Sequence, residues 1–244
     1  FTERNYGWPL DVQVTSQPNP QYFSPFADQY SYSLRKINQD KITWSTDDGA
    51  PFLWNTDTLW SMEMWVFISS SDASDGKLEY ILAPKSRNTQ GQSSGLHIGL
   101  CGDQRNRFFF TLGTANNGSA RPSGGALTAE GNFDDWNHVY VAHEGSGRHR
   151  FYLNGQLVNT IQRNDAFTMP GGLAFGGQEN SNGQNANGYL SAALDDIRFT
   201  KGWLPYASDT DNVPVPVEPL PPGAWKAVFG SLDALEDDIR GVKV

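Results

Sequence analysis

What most constrains this chain is the spacing of its apolar residues. From about residue 31 to residue 200 they fall into a succession of short runs. These include SYSLRKI, KITWS, LWSMEMWVFIS, KLEYILAP, SGLHIGLC, RFFFTLGT, WNHVYVAHE, RHRFYLNG, QLVNTI, GLAFGG and YLSAALDDIRFT. Clusters of Gly, Asn, Asp and Ser separate them, as strands separated by turns require. In the run 59–69, Trp60, Met62, Met64, Val66 and Ile68 share one parity. Val139 with Val141, and Phe151 with Leu153, repeat the pattern. A period of two puts one face in a core and the other in water, which is the mark of an antiparallel sheet. No long run of helical period precedes residue 200, so the expected fold is an all-β sandwich or barrel.

Composition agrees. The chain has 244 residues, enough for one large all-β domain with or without a tail. Aromatics at 13% and 25 glycines suit short strands joined by tight loops. The net charge of −9 repels phosphate backbones and argues against a nucleic-acid partner. No apolar stretch is long enough for a membrane helix. Cys101 is the single cysteine, so no internal disulfide is expected and the fold must rest on its core. That fits assembly in a reducing cytoplasm. The opening FTERNYGWPL lacks a basic n-region and an apolar h-region and is not read as a signal peptide.

Residues 1–30, with Pro9, Pro18, Pro20 and Pro25, read as an irregular N-terminal arm with one edge strand. Residues 31–210 read as the sandwich, and 211–223 (VPVPVEPLPPG from 213) as a Pro-rich linker. In 224–244, Trp225, Phe229, Leu232, Leu235 and Ile239 fall at helical spacing and predict a short amphipathic helix. Such a helix needs a surface to bury against. That surface is either a partner or the chain's own sandwich. Asn154-Gly155 between two strand-like runs predicts a type I′ hairpin turn. The parity break between Leu194 and Ile197 predicts a bulge at Asp195-Asp196.

Three local patterns resemble the laminin-G-like, concanavalin-A-like superfamily, especially the modules found in phage tail and virion proteins. LWSMEMWVFIS (59–69) looks like its early core strand. DDWNHVYVAHEGSGRHRFYLNGQLVNT (134–160) looks like its central hairpin. GYLSAALDDIRFTKGWLPY (188–206) is similar to its closing strand, with the Thr-Lys-Gly continuation of phage versions. The resemblance implies a jelly-roll sandwich. It also implies a non-enzymatic structural or binding protein of a phage virion, on tail, fibre or capsid surface, assembled in the bacterial host cytoplasm. Its expected partners are other virion proteins and further copies of itself, as a trimer by analogy. The alternative is a carbohydrate-binding module that recognises host surface polysaccharide.

Glucanases share this fold, so opposed carboxylates were sought. A retaining glycosidase holds two about 5–5.5 Å apart. On a strand that geometry appears as acids at period two. Glu63 stands alone in its run, Glu79 has no acid two positions away, and Asp134-Asp135 and Asp195-Asp196 are adjacent. Cys101 lies in an apolar run and reads as a core residue. His138 and His143, five apart, face opposite sides of a regular strand, and no zinc spacing occurs. Gly171-Gly172 and Gly176-Gly177 do not precede a helix, so they form no phosphate loop. Calcium was weighed at Asp72, Asp75, Asn180, Asn182 and Asn185, but ordinary turn chemistry accounts for these residues, and no cofactor is expected. For sugar contact the candidates are Trp203 and Tyr206, expected to be exposed after the closing strand, with Asn180, Asn182 and Asn185 in a polar connection.

Overall fold

The computed structural model describes residues 11–14, 17–23, 30–34, 42–45, 59–71, 76–84, 93–115, 126–163, 172–179, 185–186 and 188–217. Among the described residues sixteen strands are formed in chain order. They are β1 (Asp11–Val14), β2 (Gln17–Phe23), β3 (Tyr30–Leu34), β4 (Ile42–Ser45), β5 (Trp60–Ile68), β6 (Glu79–Pro84), β7 (Ser93–Cys101) and β8 (Gln104–Ala115). There follow β9 (Leu127–Glu130), β10 (Asp135–His143), β11 (Arg148–Leu153), β12 (Gln156–Gln162), β13 (Gly172–Phe175), β14 (Gln178–Glu179), β15 (Asn185–Ala186) and β16 (Ala192–Lys201). Two seven-stranded antiparallel sheets result. Sheet A runs β1-β4-β13-β6-β7-β8-β9 and sheet B runs β12-β11-β10-β5-β16-β3-β2. The fold is thus the expected all-β jelly-roll sandwich.

The inner faces follow from parity. Met62, Met64, Val66 and Ile68 of β5 and Val139 and Val141 of β10 are buried in one cluster with Leu96, Ile98, Phe108 and Phe110 of sheet A. Phe110 of sheet A meets Phe151 of sheet B at a centroid separation of 5.6 Å, which joins the layers directly. Each fully buried side chain of this size contributes about 1.5–3 kcal/mol. Cys101 is buried in a second cluster with Leu78, Tyr80, Ala83 and Phe109, as its apolar surroundings predicted. His138 and His143 point to opposite faces. The first meets Trp65 and the second stacks on His149 at 4.4 Å beside Trp60.

Both predicted backbone features are present. Asn154 and Gly155 have φ of 50° and 79°, as a type I′ turn demands. The β16–β5 register shifts between Asp195 and Arg198, with Asp196 at φ 46°. The N-terminal region departs from the irregular arm with one edge strand. It supplies two strands, β1 at the edge of sheet A and β2 at the edge of sheet B. Pro18 and Pro20 lie in β2, where an edge position tolerates residues that donate no ladder hydrogen bond. Residues 1–10 and the expected helix at 224–244 lie outside the described residues.

After β16 the chain turns back as a strap over the outer face of sheet B. Leu204 and Tyr206 pack on a cluster of Tyr140, Ala142, Tyr152 and Val213. The Tyr152 hydroxyl donates to Thr210 O at 2.7 Å, and Arg150 bonds both Thr210 O and Asp209. Leu157 N donates to Asp211 O and Val213 N to Gly155 O, each at 2.9 Å. The first residues of the expected linker are therefore laid against the β11–β12 hairpin, with Val213 6% exposed.

Candidate functional site

Chemistry on this sandwich has to come from polar groups on its outer faces or at its ends. Glu63 points outward from the middle of β5, opposite Tyr140 of β10 and Arg198 of β16. Its carboxylate pairs with Arg198, lies 3.2 Å from His138 Nε2, and accepts the Tyr206 hydroxyl at 2.7 Å. Arg198 also donates to Tyr206 at 3.2 Å, and the Tyr206 ring meets Tyr140 edge-on at 4.9 Å. Burial holds His138 down to about 4, so it is neutral here, and it pushes the Tyr206 phenol up. With Nε2 as donor to Glu63, His138 Nδ1 is left buried with no hydrogen-bond partner among the described residues. The network ties the strap to the sheet; Glu63 itself is only 4% exposed.

A second carboxylate lies at one end of the sandwich. Glu79 is 1% exposed and pairs with Arg105 at 3.4 Å. Arg105 also donates to Ser69 O and Ser191 O, which flank sheet B, so this arginine ties the two sheets together. Glu144 is 3% exposed and is engaged by Arg148 and Arg150. Glu63, Glu79 and Glu144 are thus each neutralised by arginine. Neither Glu63 nor Glu79 has an acid directly across the ladder. Among the described residues no group of His, Cys, Asp and Glu is arranged to hold a metal.

The exposed large hydrophobic residues described are Phe133, Trp203 and Val217. Trp203 is 40% exposed and follows Gly202, whose N–H donates to Leu59 O at the start of β5. Phe133 is 42% exposed in the β9–β10 loop, where Asp134 N donates to Ile68 O at the end of β5. At about 3.3 Å per residue the two anchor points are about 30 Å apart. The Phe133 loop is fastened throughout. The buried Asn137 amide accepts from Asn132 N at 2.8 Å and donates to Asn132 O and Asp135 O. Gly131 sits so close that a Cβ there would lie 2.6 Å from Asn137 Oδ1. Asp134 takes a left-handed φ of 55°, which costs a non-glycine residue about 1 kcal/mol. Its carboxylate accepts from Ser70 N and Ser70 Oγ, which offsets that strain and holds its titration below the usual carboxylate range.

Of the residues expected to touch sugar, Trp203 is exposed as the sequence suggested. Tyr206 is not, because its hydroxyl is spent on Glu63 and its ring on Tyr140. Asn185 pairs with Glu179 in the β14–β15 ladder. Asn180 and Asn182 lie outside the described residues, as do Asp72 and Asp75. So do Trp225, Phe229, Leu232, Leu235 and Ile239. Phe133 was missed because GNFDD carries no periodicity. Its one signal is a large aromatic among turn-formers.

Two stacked seven-stranded antiparallel sheets define a concanavalin A-like sandwich. The chain belongs to the concanavalin A-like lectin/glucanases superfamily, which matches residues 38–207. Among curated proteins, none matches it in sequence. Similar solved structures include the binding domain of botulinum neurotoxin DC in complex with SialylT. That likeness has a TM-score of 0.51 and 16% identity, over 79% of this chain and 43% of that one. A structure of botulinum neurotoxin type C, whose cell entry depends on interaction with two ganglioside molecules, gives a TM-score of 0.52. It too is 16% identical, over 79% of this chain and 43% of that one. The chain therefore spans less than half the length of these relatives, and at this identity the likeness is one of fold.

Proposed function

We propose that the chain is a non-catalytic binding module of the lectin type, displayed on a phage virion and recognising a surface polysaccharide. The observation that carries the non-catalytic reading is the neutralisation of Glu63, Glu79 and Glu144 by Arg198, Arg105 and the Arg148–Arg150 pair. A glycosidase needs one carboxyl free to donate a proton and a second free to attack or activate water. Carboxylates held in ion pairs and buried under a strap serve structure instead. Sugar binding is favoured by Trp203, a large aromatic that is 40% exposed at one end of the sandwich. The ganglioside and SialylT binding of the two neurotoxin relatives lends weight to the same reading. The virion setting rests on the Thr200-Lys201-Gly202 ending of the closing strand and the uncrosslinked core. In that setting the chain on either side of the sandwich joins neighbouring virion proteins and further copies of itself.

The test is a glycan array together with a turnover assay on β-glucans. Binding that weakens on Trp203→Ala, with no new reducing ends, is the expected result. Turnover abolished by Glu63→Gln or Glu79→Gln would overturn the non-catalytic reading. Antibody labelling of intact particles tests the virion setting; absence from the particle removes it.

A further inference from the structure

The loop between β9 and β10 does something that a turn alone does not require. It holds a large aromatic ring in water, and it does so rigidly. Gly131 N donates to Asn106 O at 2.7 Å, and Asn106 Nδ2 returns a bond to Gly131 O at 3.0 Å. Asn137 clamps Asn132 from both sides, and Ile68 and Ser70 clamp Asp134. With both neighbours fixed, Phe133 has no loose backbone on which to fold away. An exposed apolar side chain carried on backbone that is already ordered leaves less ordering cost to a ligand.

The polar groups around it indicate the kind of ligand. Asn132 and Asp135 flank the ring in sequence and are exposed. Asp135 Oδ1 accepts from Trp136 N at 2.8 Å, which orients the carboxylate of this exposed residue. The loop's own charges, Asp134 and Asp135, are both carboxylates, and the arginines of β8 are engaged, Arg107 by Glu130 and Arg105 by Glu79. Such a loop offers an apolar face bordered by hydrogen-bond acceptors. It matches a pyranose ring, whose C–H face packs on an aromatic and whose hydroxyls donate. It does not match a sialic acid carboxylate.

We propose that Phe133, bordered by Asn132 and Asp135, is a second, preformed subsite for neutral sugar rings, at the opposite end of β5 from Trp203. This rests on the lectin-type reading above and adds to it a second site and a preference for neutral over acidic glycans.

The experiment titrates cellopentaose, maltopentaose and sialyllactose into the full chain, with calorimetry giving affinity and number of sites. For a neutral pentasaccharide the expected result is two sites per chain. Phe133→Ala weakens one of them about tenfold, the scale of a lost aromatic contact. Phe133→Tyr, which keeps the face, restores it, and Trp203→Ala removes the other site. An unchanged isotherm in Phe133→Ala, or tighter binding of sialyllactose at the Phe133 end, overturns the proposal. If Trp203→Ala alone abolishes binding, the lectin-type reading stands and the second subsite falls. If no sugar binds, both fall.

Discussion

The two ends of β5 expose an aromatic each, and they are built from different materials. At the Ile68 end, the Phe133 loop is held mainly by a neutral device, the buried amide of Asn137 bonded to the backbone of Asn132 and Asp135, with the ionised Asp134 carboxylate on Ser70 beside it. Over the face leading to the Trp60 end, the strap carrying Trp203 is held by ionisable groups. Tyr206 bonds Glu63, Arg150 bonds Asp209, and Asp209 N bonds Glu144. The lesson is that the hold on one exposed aromatic is mostly neutral, while the hold on the other leans also on ion pairs. Neutral hydrogen bonds to backbone do not titrate, whereas ion pairs respond to pH and, where exposed, to salt.

The largest effect is expected at the neutral end. Asn137→Ala removes bonds to Asn132 N, Asn132 O, Asp135 O and the Asn154 amide and leaves those groups to find other partners. A loss of about 3 kcal/mol in denaturant unfolding is expected, with faster hydrogen exchange in the Phe133 loop. A loss below about 1 kcal/mol would mean that the clamp is incidental.

Next comes acid. His138 titrates near 4 in the fold, below its ordinary 6.5, because burial disfavours its charged form. The unfolded chain therefore binds an extra proton between those values. Stability is full above pH 6.5 and falls as pH drops toward 4, by about 1.4 kcal/mol per pH unit. His149, held near 3 first by burial and then by His143, adds a parallel slope from the core. Chemical denaturation at pH 7, 6 and 5 measures the sum, and His138→Gln is expected to halve the slope. An unchanged slope would place the acid sensitivity elsewhere.

Tyr206→Phe is smaller. It keeps the ring against Tyr140 and removes the hydroxyl's bonds to the buried Glu63 carboxylate and to Arg198, for a loss of about 1.5 kcal/mol. Asp209→Asn is smaller again, under about 1 kcal/mol and diminished by salt, because Asp209 is 68% exposed. Equal salt sensitivity in Asn137→Ala would erase the contrast between the ends.

Much of this was legible in the sequence because it is local. The parity of Trp60 to Ile68 gave the inner face of β5, Asn154-Gly155 gave the hairpin, and the break between Leu194 and Ile197 gave the bulge. The site was less legible because it is assembled from distant pieces. Glu63 stood alone among its neighbours in sequence, yet its partner Tyr206 is 143 residues away. Tyr206 looked exposed because nothing in its surroundings names the sheet it turns back onto. The prolines of residues 1–30 suggested an irregular arm with one edge strand, where two strands, β1 and β2, each lie at a sheet edge. Phe133 gave no periodic signal, and what makes it notable is the amide of Asn137 beneath it.

The most direct measurement is amide chemical-shift mapping on the labelled chain with a neutral pentasaccharide, with reducing ends assayed in the same tube. The account predicts shifts at Gly131–Asp135 and around Trp203, none at Glu63 or His138, and no sugar released. Shifts centred on Glu63 and Arg198, accompanied by new reducing ends, would contradict it.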